Sequence, residues 1–156
     1  MSADSSKADY GIDAPRVIVM LFLIGVVLVV ASFKPRLTIG PVTFILGPGV
    51  LVAGAIVLLE AVLMVVYSRY GKFRHRDLML QRVKWRGDEA VLDVGTGRGL
   101  MMIGAAKKLT TGKSVGIDIW SSKDLSGNSM QATLRNAAIE KECGIGSMCG
   151  KVMPLP

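Results

Sequence analysis

The alternation of apolar and polar residues divides the chain into two unlike halves. Val17–Phe33 is an uncharged run, and Pro41–Tyr67 carries no charge except at Glu60. A transmembrane helix needs about 20 apolar residues, with about 17 at the short end. The pattern therefore predicts two transmembrane helices, over about 17–35 and 45–67.

The first apolar run is expected to stay in the mature chain. It is longer than the apolar core of a signal peptide, and "KPR" follows it in place of a small-residue cleavage site. Flanking Arg16 and Lys34 can extend their charged ends to the headgroups and lengthen the effective span. The segment 41–48 is expected to form the turn into the second helix, and "GPG" at Gly47–Gly49 can break or kink a helix.

Basic residues near the helix ends predict the orientation. The tail of residues 1–16 carries two, the loop between the helices two, and the segment 68–88 seven. A hairpin places both outer segments on one side, and that side is cytoplasmic when it is the more basic one. We expect both termini in the cytoplasm and the helices in the cell inner (cytoplasmic) membrane.

The segment 68–88 also accounts for much of the net charge of +7. Basic residues beside a transmembrane helix attract anionic headgroups, by about 1 kcal/mol each. A nucleic-acid patch is the rival interpretation, but aromatic residues are sparse here and the segment adjoins a predicted membrane helix. The charge therefore predicts membrane contact and no nucleic acid, with His75 at the surface.

Few residues outside the segment 89–142 offer further chemistry. Glu60 is an intramembrane carboxylate, which marks either a functional site or a protonated, snorkelling or helix-facing side chain. Cys143 and Cys149 match no zinc spacing, and two ligands cannot close a zinc site. No metal site is expected.

After the basic segment the pattern changes to short apolar runs separated by glycines. Glu89–Val94 is typical of a buried strand, Gly99–Leu109 of a helix, and Ser114–Ile119 of a second strand. The order strand, glycine loop, helix, strand is a crossover unit of a parallel sheet. We therefore predict an α/β fold in which a transmembrane hairpin precedes a Rossmann-like sheet.

The glycine loop has a distinctive spacing. Glycines allow a sharp turn from strand to helix and close approach of a ligand to the backbone. A dinucleotide fingerprint, G-x-G-x-x-G, would need its third glycine at Leu100. The chain instead has D-x-G-x-G-x-G from Asp93, and Asp118 closes the next apolar run. This stretch resembles the first motif of Rossmann-like S-adenosylmethionine-dependent methyltransferases.

The resemblance implies an enzyme, a cofactor and a set of binding residues. The cofactor is S-adenosyl-L-methionine, with its methionine part above the glycine loop and its ribose hydroxyls on the acidic residue after the second strand. The matching positions are Asp93, Gly95, Thr96, Gly97, Gly99, Asp118 and Ile119. No residue is assigned to catalysis, and the methyl acceptor is expected to be a small or lipid-like molecule.

A further helix is predicted over Ser129–Glu142. Asn128 or Ser129 would cap it, and Met130, Leu134 and Ala138 recur at helical spacing. This stretch resembles the second helix of small bacterial methyltransferases that carry two N-terminal membrane helices.

The last fourteen residues do not resemble the rest of that family's domain. We expect a partial methyltransferase domain over 89–142, an irregular tail over 143–156, and a chain truncated or altered near Glu140–Lys141. Two parallel strands bury little surface, so cofactor affinity is expected to be poor. The alternatives are a non-catalytic small membrane protein that binds lipid or protein partners, and a nicotinamide-binding fragment.

Overall fold

Two long apolar helices form a hairpin at the start of the fold. The structure, a computed structural model, describes residues 7–34, 36–45, 47–140 and 152–155. Helix α1 spans Pro15–Ser32, and helix α2 spans Pro48–Val66. Helix α1 and the continuous helical stretch Pro48–Gln81, which begins with α2, are long and apolar enough to span a membrane, and their most apolar parts are little buried in the chain itself. The two predicted helices are therefore present.

Glycines bring the two helices together. A Cβ at Gly25 would lie 2.7 Å from the side chain of Leu58, and one at Gly54 would lie 2.9 Å from the backbone nitrogen of Val29. Small residues let helix backbones approach closely where no hydrophobic force drives association. The hairpin thus depends on close backbone contact, and most of its large apolar side chains are exposed.

The connection between the helices is a β-hairpin, not the plain turn expected over 41–48. Strand β1, Arg36–Ile39, pairs antiparallel with β2, Val42–Ile45. Gly40 has a φ of +60° at the first position of the two-residue turn, where glycine is favoured. β-Branched residues favour these strands, and Pro48 at the first turn sets the start of α2. The second helix therefore begins at residue 48, not 45.

The basic segment is largely helical. Helix α2 continues through a π-helical turn, Tyr67–Gly71, into helix α3, Lys72–Gln81. The Tyr67 ring lies over Gly71, where an added Cβ would meet it at 2.5 Å, and its hydroxyl lies 2.9 Å from His75 Nδ1. The rod of helix thus runs without a break from the hairpin to the second half of the molecule.

The second half is a parallel sheet with helices against it. In chain order its elements are β3 Ala90–Val94, α4 Leu100–Ala106, β4 Lys113–Ile117, α5 Met130–Ile139 and β5 Val152–Leu155. The strands lie in the order β3-β4-β5, and both pairs are parallel. The predicted strand, helix, strand order of residues 89–119 is confirmed.

Strand β5 replaces the irregular tail expected over 143–156 at residues 152–155, and the rest of that range lies outside the described residues. Pro154 lies opposite Gly116 in the ladder. Proline lacks an amide hydrogen, so it is tolerated in an edge strand, where one side of the strand has no partner. Its presence in the sequence therefore did not exclude a strand. The two cysteines lie outside the described residues.

The core of this half includes the N-terminal segment. Tyr10 is buried with Met102, Ile103, Ala106 and Ala137. Residues 7–14, which were expected to be part of a tail, therefore belong to the fold. Ala14, with a φ of +45°, turns this segment into α1.

The buried face of α5 is not the predicted one. Thr133, Asn136 and Ala137 are buried, whereas Leu134 is 40% exposed and Ala138 is exposed. The polar side chains are buried because they hold the backbone of neighbouring segments. Ser129 does cap the helix, accepting from the Ala132 amide at 3.1 Å.

Candidate functional site

The glycine bend, residues 95–99, joins the end of β3 to α4. Its three glycines have φ values of +76°, +58° and +87°, all in the left-handed region that other residues avoid. The amides of Gly95 and Thr96 donate to the Ile117 carbonyl at 2.8 and 3.1 Å. The bend is thereby fixed to the carboxyl end of the neighbouring strand β4.

The surroundings of the three glycines differ. A Cβ at Gly99 would lie 2.8 Å from Ile103 and 3.0 Å from Thr133, and one at Gly97 would lie 3.0 Å from Leu125. No atom lies within 4 Å of a Cβ at Gly95. A side chain at Gly97 or Gly99 would thus force its neighbours to shift, whereas Gly95 borders open space.

Asp93 organises the bend from within. Its Oδ2 accepts hydrogen bonds from Thr96 Oγ1 at 2.8 Å and from the Met102 amide at 2.9 Å. The second bond satisfies one of the amides that a helix leaves free at its N-terminus, where a carboxylate is also favoured by the helix dipole. Asp93 therefore fixes the strand, the bend and the helix relative to one another.

Asp118 reaches the bend from the end of β4. Its Oδ2 accepts from the Gly97 amide at 2.7 Å, and its Oδ1 accepts from the Trp120 amide at 2.6 Å and from Asn128 Nδ2 at 3.2 Å. Asp118 and the glycines, which were expected from the sequence to lie close together, are therefore in contact. Three donors from the chain use three of the four or so acceptor positions of a carboxylate.

A cavity of about 190 Å³ lies beside the bend. Asp93, Gly95, Thr96 and Gly97 line it, whereas Gly99, Asp118 and Ile119 do not. Sites for small ligands usually measure about 300–1,000 Å³, so this cavity is small. Ile119, which follows Asp118 in the chain, is 90% exposed.

The N-terminal segment forms another wall of this cavity, which the sequence did not indicate. Its Tyr10 and Asp13, with Lys72 of α3, are among the lining residues. Lys72 Nζ donates to the carbonyls of Tyr10 and Gly11 at 2.8 and 2.7 Å and lies 3.5 Å from Asp13 Oδ1. A basic residue assigned to the membrane surface is thus buried beside the bend.

An ion pair also ties this segment to the bend. Arg98 lies 3.1 Å from Asp9 Oδ2. Partial burial opposes ionisation of Asp9, but the hydrogen bond from the Gly11 amide and the charge of Arg98 lower its pKa on balance. At neutral pH both partners are charged, and the pair holds the segment in place.

Three further residues support the bend. Gly116 of β4 leaves room for Met102 and Thr96, each of which would lie within 3 Å of an added Cβ. Thr133 Oγ1 donates to the Gly97 carbonyl at 2.8 Å, and Asn136 Nδ2 to the Arg98 carbonyl at 2.9 Å. A glycine inside a predicted strand could have indicated the close packing at Gly116. The sequence of α5 gave no indication that Thr133 and Asn136 bind the bend.

The part of the chain that the structure describes holds no group of three or more His, Cys, Asp or Glu residues placed to bind a metal ion. Of the two predicted carboxylates, Asp93 lines the small cavity, and the amides of Gly95, Thr96 and Gly97 donate within the chain. No protein-family model, curated protein or solved structure matches the chain.

Proposed function

We propose that this chain is a membrane-anchored protein that binds S-adenosyl-L-methionine and transfers its methyl group to a small or lipid-like acceptor. One observation carries the proposal: two parallel strands meet at a bend of three left-handed glycines, and Asp118 from the second strand contacts that bend at 2.7 Å. A dinucleotide fingerprint lacks this glycine spacing.

Cofactor binding requires a local exchange of hydrogen bonds. Asp118 would accept hydrogen bonds from the two ribose hydroxyls. These charge-assisted bonds would replace the hydrogen bond that Asp118 now accepts from the Gly97 amide. The open space at Gly95 would admit the methionine part. Because the cavity is small, the bend has to open for the whole cofactor, and this supports the expectation of weak affinity.

The strand order agrees with the proposal. In a doubly wound sheet the first three strands lie in the order 3-2-1, and ligands bind beyond their carboxyl ends. Strands β3, β4 and β5 follow that order, with the glycine bend at the carboxyl end of β3.

Methyl transfer makes modest chemical demands on the protein. A nucleophile attacks the sulfonium methyl group in line with the departing sulfur, so positioning supplies most of the acceleration. No residue is assigned to catalysis. The membrane hairpin would hold the site at the inner membrane with both termini cytoplasmic, and the basic residues of 68–88 that remain exposed would contact anionic headgroups.

A non-catalytic function is the second candidate, and a specific observation favours it. Leu92 and Val94 of β3 are 61% and 72% exposed, and Ile119 is 90% exposed. Parallel sheets normally have both faces covered. A small cavity beside an uncovered apolar face fits a protein that binds lipid or a protein partner without catalysis.

Calorimetry on the detergent-solubilised chain separates these functions. S-adenosylmethionine should bind, and Asp118→Ala should weaken binding about tenfold or more, because it removes hydrogen bonds to a charged acceptor. Asp124→Ala, an exposed carboxylate in the following loop, is the matched control. No binding at millimolar cofactor favours the non-catalytic function, and displacement by NADH favours a nicotinamide site.

A further inference from the structure

Glu60 lines a cavity at the end of the membrane hairpin. This cavity measures about 390 Å³, and its walls are Asp13, Glu60, Leu63, Met64, Tyr67 and Ser68. Its size falls in the range of small-ligand sites. Apart from the two carboxylates and the hydroxyls of Ser68 and Tyr67, the wall is apolar. Among the described residues none forms an ion pair or hydrogen bond with Glu60.

This membrane-side cavity adjoins the one at the glycine bend. Asp13 lines both. Its position is fixed by its own amide, which donates to the buried Ser68 Oγ at 3.2 Å, and by Lys72 Nζ at 3.5 Å. A ligand that fills the membrane-side cavity therefore ends beside a residue of the candidate cofactor site.

The depth and chemistry of Glu60 indicate the kind of ligand. Glu60 precedes Tyr67 by about two helical turns, roughly 10 Å along the axis, so it lies inside the apolar span. A carboxylate only accepts hydrogen bonds, so it selects a donor. Carrying a cationic headgroup to that depth costs several kcal/mol, whereas a neutral hydroxyl avoids that cost.

We propose that this cavity binds a neutral membrane amphiphile whose hydroxyl group donates a hydrogen bond to Glu60. The further statement that this molecule is the methyl acceptor rests on the proposed function. In that reaction the hydroxyl oxygen bonds to the methyl carbon and the carbon–sulfur bond breaks, leaving a neutral thioether. The hydroxyl proton passes to the Glu60 carboxylate, which already accepts its hydrogen bond.

The test uses photolabelling of the full chain in phosphatidylcholine nanodiscs. The probe is hexadecanol with a diazirine in its chain, and labelled peptides are mapped by mass spectrometry. We expect labelling at residues 60–68, competed by hexadecanol but not by hexadecyl methyl ether, which has no hydroxyl donor. Glu60→Leu should reduce labelling about tenfold, as expected for loss of a hydrogen bond to a charged group.

Two controls keep the result interpretable. Leu59→Gln changes an exposed neighbour that does not line the cavity and should leave labelling unchanged. Glu60→Gln keeps an acceptor of the same shape and should lose less labelling than Glu60→Leu. Equal competition by the methyl ether, or stronger competition by hexadecylamine, would overturn the hydroxyl-donor site.

Failure of this site and failure of the proposed function give different results. If S-adenosylmethionine binds but hexadecanol does not label residues 60–68, only the acceptor site is wrong. If labelling follows Glu60 but the cofactor does not bind, the cavity is a lipid site and the methyl-transfer function is wrong.

Discussion

The helix hairpin and the sheet half of this molecule are held together in opposite ways. The residues that the hairpin buries are Gly25, Gly54 and Ala61, and its large apolar side chains face outward. The sheet half buries polar side chains, among them Thr133 and Asn136, which hold the backbone by hydrogen bonds. One half therefore needs small residues at a few positions, and the other needs particular donors and acceptors.

The largest effect is expected in the sheet half, from Gly116→Val. The new side chain would overlap Met102 and Thr96, and overpacking of this kind costs about 1–3 kcal/mol or more. Both tryptophans lie outside the hairpin, so fluorescence during urea unfolding reports on the sheet half. Gly49→Ala, where an added Cβ meets nothing within 4 Å, should be neutral; equal losses in both variants would refute the packing argument.

Asn136→Leu should be nearly as damaging, although the shape is kept. It leaves the Asp9 amide, the Asp9 carbonyl and the Arg98 carbonyl without their partner, and buried unpaired groups cost about 1–3 kcal/mol. The same urea titration measures the loss. Gln131→Leu, at an exposed position of α5, serves as the control, and a stable Asn136→Leu variant would mean that the N-terminal segment contributes little.

Gly54→Leu tests the hairpin alone, with an expected loss of about 1–2 kcal/mol. The side chain would push α2 away from Val29, so helicity in detergent should fall at a lower concentration of added sodium dodecyl sulfate. Tryptophan fluorescence of the sheet half should not change. Val52→Leu, at an exposed position of α2, should behave as the parent chain does. Loss of both halves together would contradict the expectation that the new side chain at Gly54 disturbs the hairpin alone.

The smallest effect concerns pH. Partial burial opposes ionisation of Glu140, but its hydrogen bond and ion pair with Lys107 lower its pKa, and the pKa of Asp9 is lowered too. Their stabilisation is therefore complete above about pH 4.5 and is lost as pH falls through the lowered values. Because these groups are partly exposed, we expect less than about 1 kcal/mol.

Urea unfolding of the parent chain between pH 6 and pH 3 measures this dependence, and Asp9→Asn should flatten part of it. An unchanged slope in that variant would mean that the Asp9–Arg98 pair does not stabilise the fold.

Most of the correct predictions came from patterns of residues that lie close together in the sequence. Uncharged runs indicated both long helices, and the run from Glu89 to Ile119 indicated the strand, bend and parallel strand. These features depend on residues close in sequence, so periodicity and glycine spacing reveal them. Asp118 was placed at the bend for the same reason: parallel strands bring their carboxyl ends to one edge.

The features that the sequence did not predict depend on contacts between residues far apart in the chain. Tyr10 in the core, Lys72 beside the bend and Asn136 on the buried face of α5 all depend on the N-terminal segment crossing the sheet half. The polar face of α5 is buried because the backbone of a segment distant in sequence binds it. Hydrophobic periodicity cannot reveal a face of this kind. The strand at Val152–Leu155 was missed because its partner β4 lies far back in the chain.

The contact between Asp9 and Asn136 joins residues 127 positions apart. During synthesis, residues 7–14 leave the ribosome before either apolar helix, yet their binding surface is complete only after α5 has emerged. Both apolar helices have then already emerged. The sheet half can consequently close only after both apolar helices have emerged, so a segment that precedes them in the chain is among the last to reach its place.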